Sequence, residues 1–153
     1  MHIALKKIPQ TDYNIKDLPI LFEDKLTDRA FGIIFKNDVA QYKLGWQSDS
    51  LDPIVVTIDK NICIIGIDQK VIFYNISDGN ILLEITLTFL LYDIKIHNNF
   101  AYIISELEIL KTSINSFTIV EVISLPDYYK QIKFINTAVE IECLEGQIVR
   151  LNE

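Results

Sequence analysis

Two histidines, two cysteines and five glycines are all that this 153-residue chain offers to chemistries that rest on those residue types. Two thiols are far too few for a disulfide framework, and the separation of Cys63 from Cys143 matches no zinc-binding pattern. Both are expected to be buried free thiols in a reducing compartment. Neither has a histidine close by in sequence, so no thiol nucleophile is legible, and His97 reads as a turn residue. The scarce glycines form no P-loop, no dinucleotide fingerprint and no nucleophile elbow, so nothing brings backbone close to a phosphate. The chain is therefore expected to have no catalytic residues, no metal and no organic cofactor.

Long apolar runs are missing as well. The stretch ITLTFLLYDIKI is interrupted by polar residues well short of the roughly 18 residues that a membrane helix needs. The opening MHIALKKIPQTDYNIKDLP has no apolar run behind its basic residues, so no secretory signal is read there. A cytoplasmic protein without membrane contact is expected. Arginine occurs only as Arg29 and Arg150, and the formal charge is −7 with a pI near 4.8. That balance disfavours direct nucleic-acid binding, which needs a basic face for phosphates, and favours a basic protein partner. The acidity is concentrated, with −1 over residues 1–53 and −6 over residues 54–153.

Half of the residues are hydrophobic and only 23% are charged, a globular composition that fits one domain over residues 1–153. Within it, 1–53 reads as an N-terminal segment with a hairpin and 54–153 as a repeat region. Ile58-Asp59-Lys60-Asn61-Ile62 aligns with Ile96-His97-Asn98-Asn99-Phe100 and with Phe134-Ile135-Asn136-Thr137-Ala138, at a spacing of 38 residues. Recurrence at such a period marks a supersecondary unit used repeatedly.

The unit is built from strands. β-Branched and aromatic residues fill 54–58, 61–67, 70–76 and 81–87, then 90–96, 99–105, 107–113 and 116–124, then 129–135, 138–144 and 147–153. Asp, Asn, Gly and Ser occupy the joints, with Asp78-Gly79 and Glu145-Gly146 reading as hairpin turns. Upstream, 31–36 and 39–44 flank Asn37-Asp38 as a further hairpin, and a short helix is predicted near 18–26. Trp46, in GWQSDSLDP, is either an exposed anchor or a plug for one end of the core.

Four short antiparallel strands about every 38 residues resemble the blade of a β-propeller, over residues 54–153. The Gly-His and Trp-Asp dipeptides of WD40 blades are absent. The predicted fold class is all-β: an antiparallel meander of propeller-like repeats, open rather than a closed ring, behind a short N-terminal α/β segment. A β-sandwich or barrel is the alternative.

Glu140 and Glu142 are two apart in a strand, so they share one face while Val139, Ile141 and Cys143 line the other. Glu106 and Glu108 repeat that spacing, and Glu145 follows closely. Together they are expected to form an acidic partner-binding surface, with Asp127 as rim and Tyr128 as anchor. The alternative is a solvated face or a sheet edge protected by charge. In overall profile the chain is similar to immunity proteins of bacterial toxin systems, including contact-dependent growth inhibition. That similarity implies an inhibitor covering the active-site groove of a basic toxin, such as a nuclease. The other reading is a propeller-like protein–protein interaction module or scaffold subunit without an inhibitory role.

Overall fold

The computed structural model describes residues 1–24, 29–48 and 50–153. They form fifteen strands and one short helix, arranged in two compact units, residues 1–84 and 85–153.

In the first unit, β1 (Ile3–Ile8), β3 (Ala30–Lys36) and β4 (Val39–Trp46) pair antiparallel, and β2 (Ile20–Glu23) adds to β4 in parallel. The helix α1 (Gln10–Ile15) lies between β1 and β2 in sequence. A helix predicted near 18–26 is thus displaced. Pro19 pushes the residue before it out of helical backbone, whereas Pro9 stands at the helix N-cap with φ −63° and Asp12 follows in the first turn. Leu21 and Phe22 are buried on β2, while residues 25 and 26 fall outside the described set.

The next sheet is a meander of β5 (Ile54–Thr57), β6 (Ile62–Ile67), β7 (Lys70–Asn75) and β8 (Ile81–Thr86), hydrogen-bonded in sequence order. The second unit repeats this plan with β9 (Leu91–His97), β10 (Phe100–Ser105), β11 (Glu108–Ser113) and β12 (Thr118–Ser124). It then starts again with β13 (Tyr129–Ile135), β14 (Ala138–Cys143) and β15 (Ile148–Asn152). The 38-residue recurrence is a recurrence of strand order and direction.

Turn chemistry sets that register. Asn37 and Asp38 both take positive φ, 49° and 65°, as a two-residue hairpin between right-twisted strands requires. Asn98 and Asn136, one repeat apart, open the β9–β10 and β13–β14 turns at φ 52° and 53°. Asparagine tolerates that region better than most residues. At the β5–β6 joint, Asp59 takes over, its Oδ1 accepting the N–H groups of Asn61 and Ile62 at 2.7 and 2.9 Å.

The interior strands β6, β7 and β10 are buried on both faces, which is why Cys63–Ile65, Val71–Tyr74 and Ala101–Ile104 read as unbroken apolar runs. Trp46 is fully buried with Ile34, Leu44, Ile65, Ile72 and Tyr74 in the core of the first unit, so it plugs rather than anchors. Tyr102, Ile104, Ile109, Val139, Ile141 and Cys143 form the core of the second. Both cysteines are free and buried, and burial pushes the Cys63 thiol up. A fully buried side chain of this size contributes roughly 1.5 to 3 kcal/mol.

Two glycines give the account a direct check. Gly79 sits at φ +76° with an added Cβ falling 2.7 Å from the Tyr42 ring, whereas Gly146 at φ +93° has nothing within 4 Å. Gly146→Ala should lower stability by about 1 to 2 kcal/mol, the cost of a left-handed side chain. Gly79→Ala should lower it by roughly 1 to 3 kcal/mol more through overpacking. Denaturant titration of both variants would show the difference, and equal losses would contradict the packing described.

Candidate partner-binding surface

Three connections of the second unit are stitched side by side by their own backbones. Leu125 N–H donates to Leu107 O and Tyr129 N–H to Glu106 O, both at 2.9 Å, tying the β12–β13 connection to the β10–β11 one. Leu144 N–H donates to Tyr128 O at 2.9 Å, and Glu145 N–H to the Asp127 carboxylate at 3.0 Å, adding the β14–β15 turn. Glu106, Asp127, Tyr128 and Glu145 are thereby placed along one end of the unit. Tyr128 and Leu144 stand out there with 46% and 62% of their surface exposed.

Glu108 departs from its expected partnership with Glu106. It begins β11, while Glu106 lies in the preceding connection, which is closed by Ser105 Oγ donating to Glu108 O at 2.7 Å. The two carboxylates therefore do not repeat the strand-face pair of Glu140 and Glu142.

That second pair is on β14, on the opposite face from buried Val139, Ile141 and Cys143, as the alternation requires. Its charge is answered locally. Glu140 is ion-paired with Arg150 on β15 and lies opposite Lys133 on β13, while Glu142 pairs with Lys130 at 3.0 Å and accepts from Gln131. The hydrogen bonds from Gln131 and then Lys130 hold the Glu142 carboxyl below its usual value. Gln131, Lys133, Glu140, Glu142 and Ile148 line a depression of mixed charge. Reversing Glu140 or Glu142 to Lys would set cations beside Arg150, Lys130 and Lys133, so such variants probe sheet stability as well as encounter.

A polar cluster with no sequence signature surrounds Glu153. Its carboxylate, only 6% exposed, meets His97 Nδ1 at 2.8 Å, accepts from Tyr102 Oη at 2.6 Å and accepts from Asn98. The His97 ring stacks on Phe134 with centroids 4.3 Å apart, so the histidine read as a turn residue is held at the end of β9. Burial works against charge on Glu153, but the hydrogen bonds from Tyr102, His97 and Asn98 prevail and hold its pKa below the usual value. Tyr102 is pushed up, first by burial and then by the Glu153 hydrogen bond. These contacts clamp residue 153 against β9 and β10. Among the described residues no group of three or more His, Cys, Asp or Glu side chains is placed to hold a metal ion, and no helix is long and apolar enough to cross a membrane.

No protein-family model and no curated protein matches the chain. Among solved structures it is similar to the computationally designed Ika4 protein, with a TM-score of 0.60 at 11% identity over 90% of this chain and 92% of that one. The WD40 β-propeller domain of Doa1 gives 0.58 at 15% identity over 78% of this chain, and BamB from Moraxella catarrhalis gives 0.57 at 12% over 80%. The chain spans 42% and 43% of the lengths of those two proteins. These likenesses show the fold: blade-like antiparallel sheets of the β-propeller type.

The Glu153 cluster predicts a specific pH response. A folded-state pKa below the ordinary 4.5 means that the carboxylate's contribution is complete above that value and is lost as pH falls through the lowered folded pKa. Glu153→Gln should destabilise the protein at pH 7 by about 1 to 3 kcal/mol, since it disturbs a buried hydrogen-bonded group. It should also flatten the acid limb of the stability curve. Thermal melts from pH 7 to pH 3 test this, and parallel curves for the two proteins would contradict it.

Proposed function

We propose that this chain is a protein–protein interaction module whose partner docks on the loop end of the second unit. The observation that carries the reading is the placement of exposed Tyr128 and Leu144 on backbones bonded to each other, beside Glu106, Asp127 and Glu145. An aromatic and an aliphatic side chain on a hydrogen-bonded support give contact area at low entropic cost. Carboxylates around them suit a partner with a cationic rim. The propeller-type fold supports this reading as a scaffold for loop-borne contacts, without naming a partner.

The narrower reading, an inhibitor seated in the groove of a basic toxin, rests on a face carrying free negative charge. Glu140 and Glu142 are paired within their own sheet, which withdraws two of the carboxylates that reading relied on. Glu108 starts β11, away from the stitched loops, so Glu106, Asp127 and Glu145 remain as the acidic contribution of the loop end. The partner we propose is accordingly recognised by an apolar patch with basic flanks, and inhibition is not required of the interaction.

A protein that co-purifies stoichiometrically supplies the assay. Tyr128→Ala combined with Leu144→Ala should weaken its binding by about thirtyfold or more, roughly 2 kcal/mol, while stability changes little because both side chains are exposed. Raising salt should slow association of the wild type more than of a Glu106→Gln, Asp127→Asn, Glu145→Gln triple variant. Unchanged affinity in the double variant would remove the loop end from the interface.

A further inference from the structure

The start of β9 adds two exposed side chains to the loop end of the second unit. Leu91 lies opposite Ser105, where the β10–β11 connection begins, so this part of β9 borders the segment that holds Glu106. Leu90 and Tyr92 there are exposed by 40% and 48%. The Tyr92 ring meets the ring of half-buried Tyr129, with centroids 6.4 Å apart and planes tilted by 55°. Tyr129 is the residue whose N–H is bonded to Glu106 O, so the two rings rest on the same backbone support that presents Tyr128. Burial first, and then the Asp93 carboxylate, push the Tyr129 hydroxyl up, so it stays a neutral donor at physiological pH.

Charge and ring contacts together indicate which side chain would complete this surface. The segments that form it, residues 87–93, 105–107, 125–129 and 144–147, contain no lysine or arginine but carry the carboxylates of Asp93, Glu106, Asp127 and Glu145. Asp93 is answered by Lys95 at 3.1 Å. Glu106 and Glu145 have no ion pair among the described residues. Elsewhere the chain covers its own rings with cations: Lys6 Nζ lies 4.9 Å from the Phe35 centroid, Lys43 Nζ 4.6 Å from that of Tyr13 and Lys111 Nζ 4.2 Å from that of Phe100. Among the described residues no such cation lies over Tyr92, Tyr128 or Tyr129.

We infer that the tilted Tyr92–Tyr129 pair is a subsite for an arginine side chain of the partner protein, carried on a segment with apolar residues on either side of it. The guanidinium would lie over the exposed Tyr92 ring and turn its N–H groups to the Glu106 carboxylate. Stacking combined with forked hydrogen bonding suits a planar cation better than the point charge of lysine. Leu90 and Leu144, both exposed at this end, offer apolar contact to the residues beside the arginine. The inference rests on the interaction-module reading and names the side chain by which the partner is recognised.

The probe is the peptide acetyl-Ala-Leu-Arg-Leu-Ala-amide, titrated into the full chain and followed by the tyrosine ring signals in nuclear magnetic resonance. Saturable binding that shifts the Tyr92 and Tyr129 rings is expected. Citrulline in place of the arginine keeps its shape and removes its charge, and should weaken binding by about tenfold or more. Lysine there should weaken it by about threefold. Tyr92→Ala should weaken binding by about fivefold, while Tyr92→Phe should stay within about twofold of the wild type, because the ring and not the hydroxyl carries the contact. Tyr92 is exposed, so its replacement should change stability little, and the citrulline peptide leaves the protein untouched in any case. Absence of saturable binding, equal binding of the citrulline or lysine peptide, or full-strength binding to Tyr92→Ala would overturn the inference. A natural partner weakened by the Tyr128→Ala, Leu144→Ala double variant yet insensitive to Tyr92→Ala would overturn the arginine subsite while leaving the interaction-module reading in place. A partner weakened by neither would overturn both.

Discussion

Every strand residue carries one N–H and one C=O that must be bonded or hydrated, and a strand between two neighbours satisfies all of them while an edge strand satisfies half. That constraint organises this protein. β6, β7, β10 and β11 lie inside their sheets with saturated backbones, so they can be buried on both faces and supply a large share of the buried side chains. The edges are handled case by case. β2 caps its sheet in parallel, β12 carries a bulge opposite Lys111 and Thr112, and β15 presents a straight edge marked by one arginine.

Register couples this backbone constraint to the cores. Because successive side chains alternate faces, a one-residue slip of β14 would bring Glu140 and Glu142 inward and expel Val139, Ile141 and Cys143. Short turns with positive φ at Asn37, Asp38, Asn98 and Asn136 exclude such slips. The charge pairs are secondary. Lys130, Gln131 and Arg150 meet carboxylates that face water in any case, and exposed ion pairs contribute little to stability.

The strands were legible because local chemistry alone specifies them. The runs from 54 to 153 and the Asn37-Asp38 hairpin match the observed strands to within a residue or two at most ends, since β-branched residues and turn formers sit where the backbone needs them. The helix was misplaced because two prolines compete for its start, and only the burial of Leu21 and Phe22 on β2 decides between them. Spacing identified the shared face of Glu140 and Glu142 but could not show Arg150, Lys130 and Gln131 arriving from neighbouring strands. For the same reason Glu106 and Glu108 looked like a strand pair, although a connection ends between them. The Glu153 cluster joins residues more than fifty positions apart and had no local signal.

Residue-resolved amide hydrogen exchange of the free protein tests the pairing scheme most directly. Third strands with a neighbour on each side should be protected without a break, through Val71–Tyr74 and Ile109–Thr112. β15 should alternate, slow at Val149 and Leu151 and fast at Ile148, Arg150 and Asn152. Continuous protection along β15, or alternation along β7 and β11, would contradict the account.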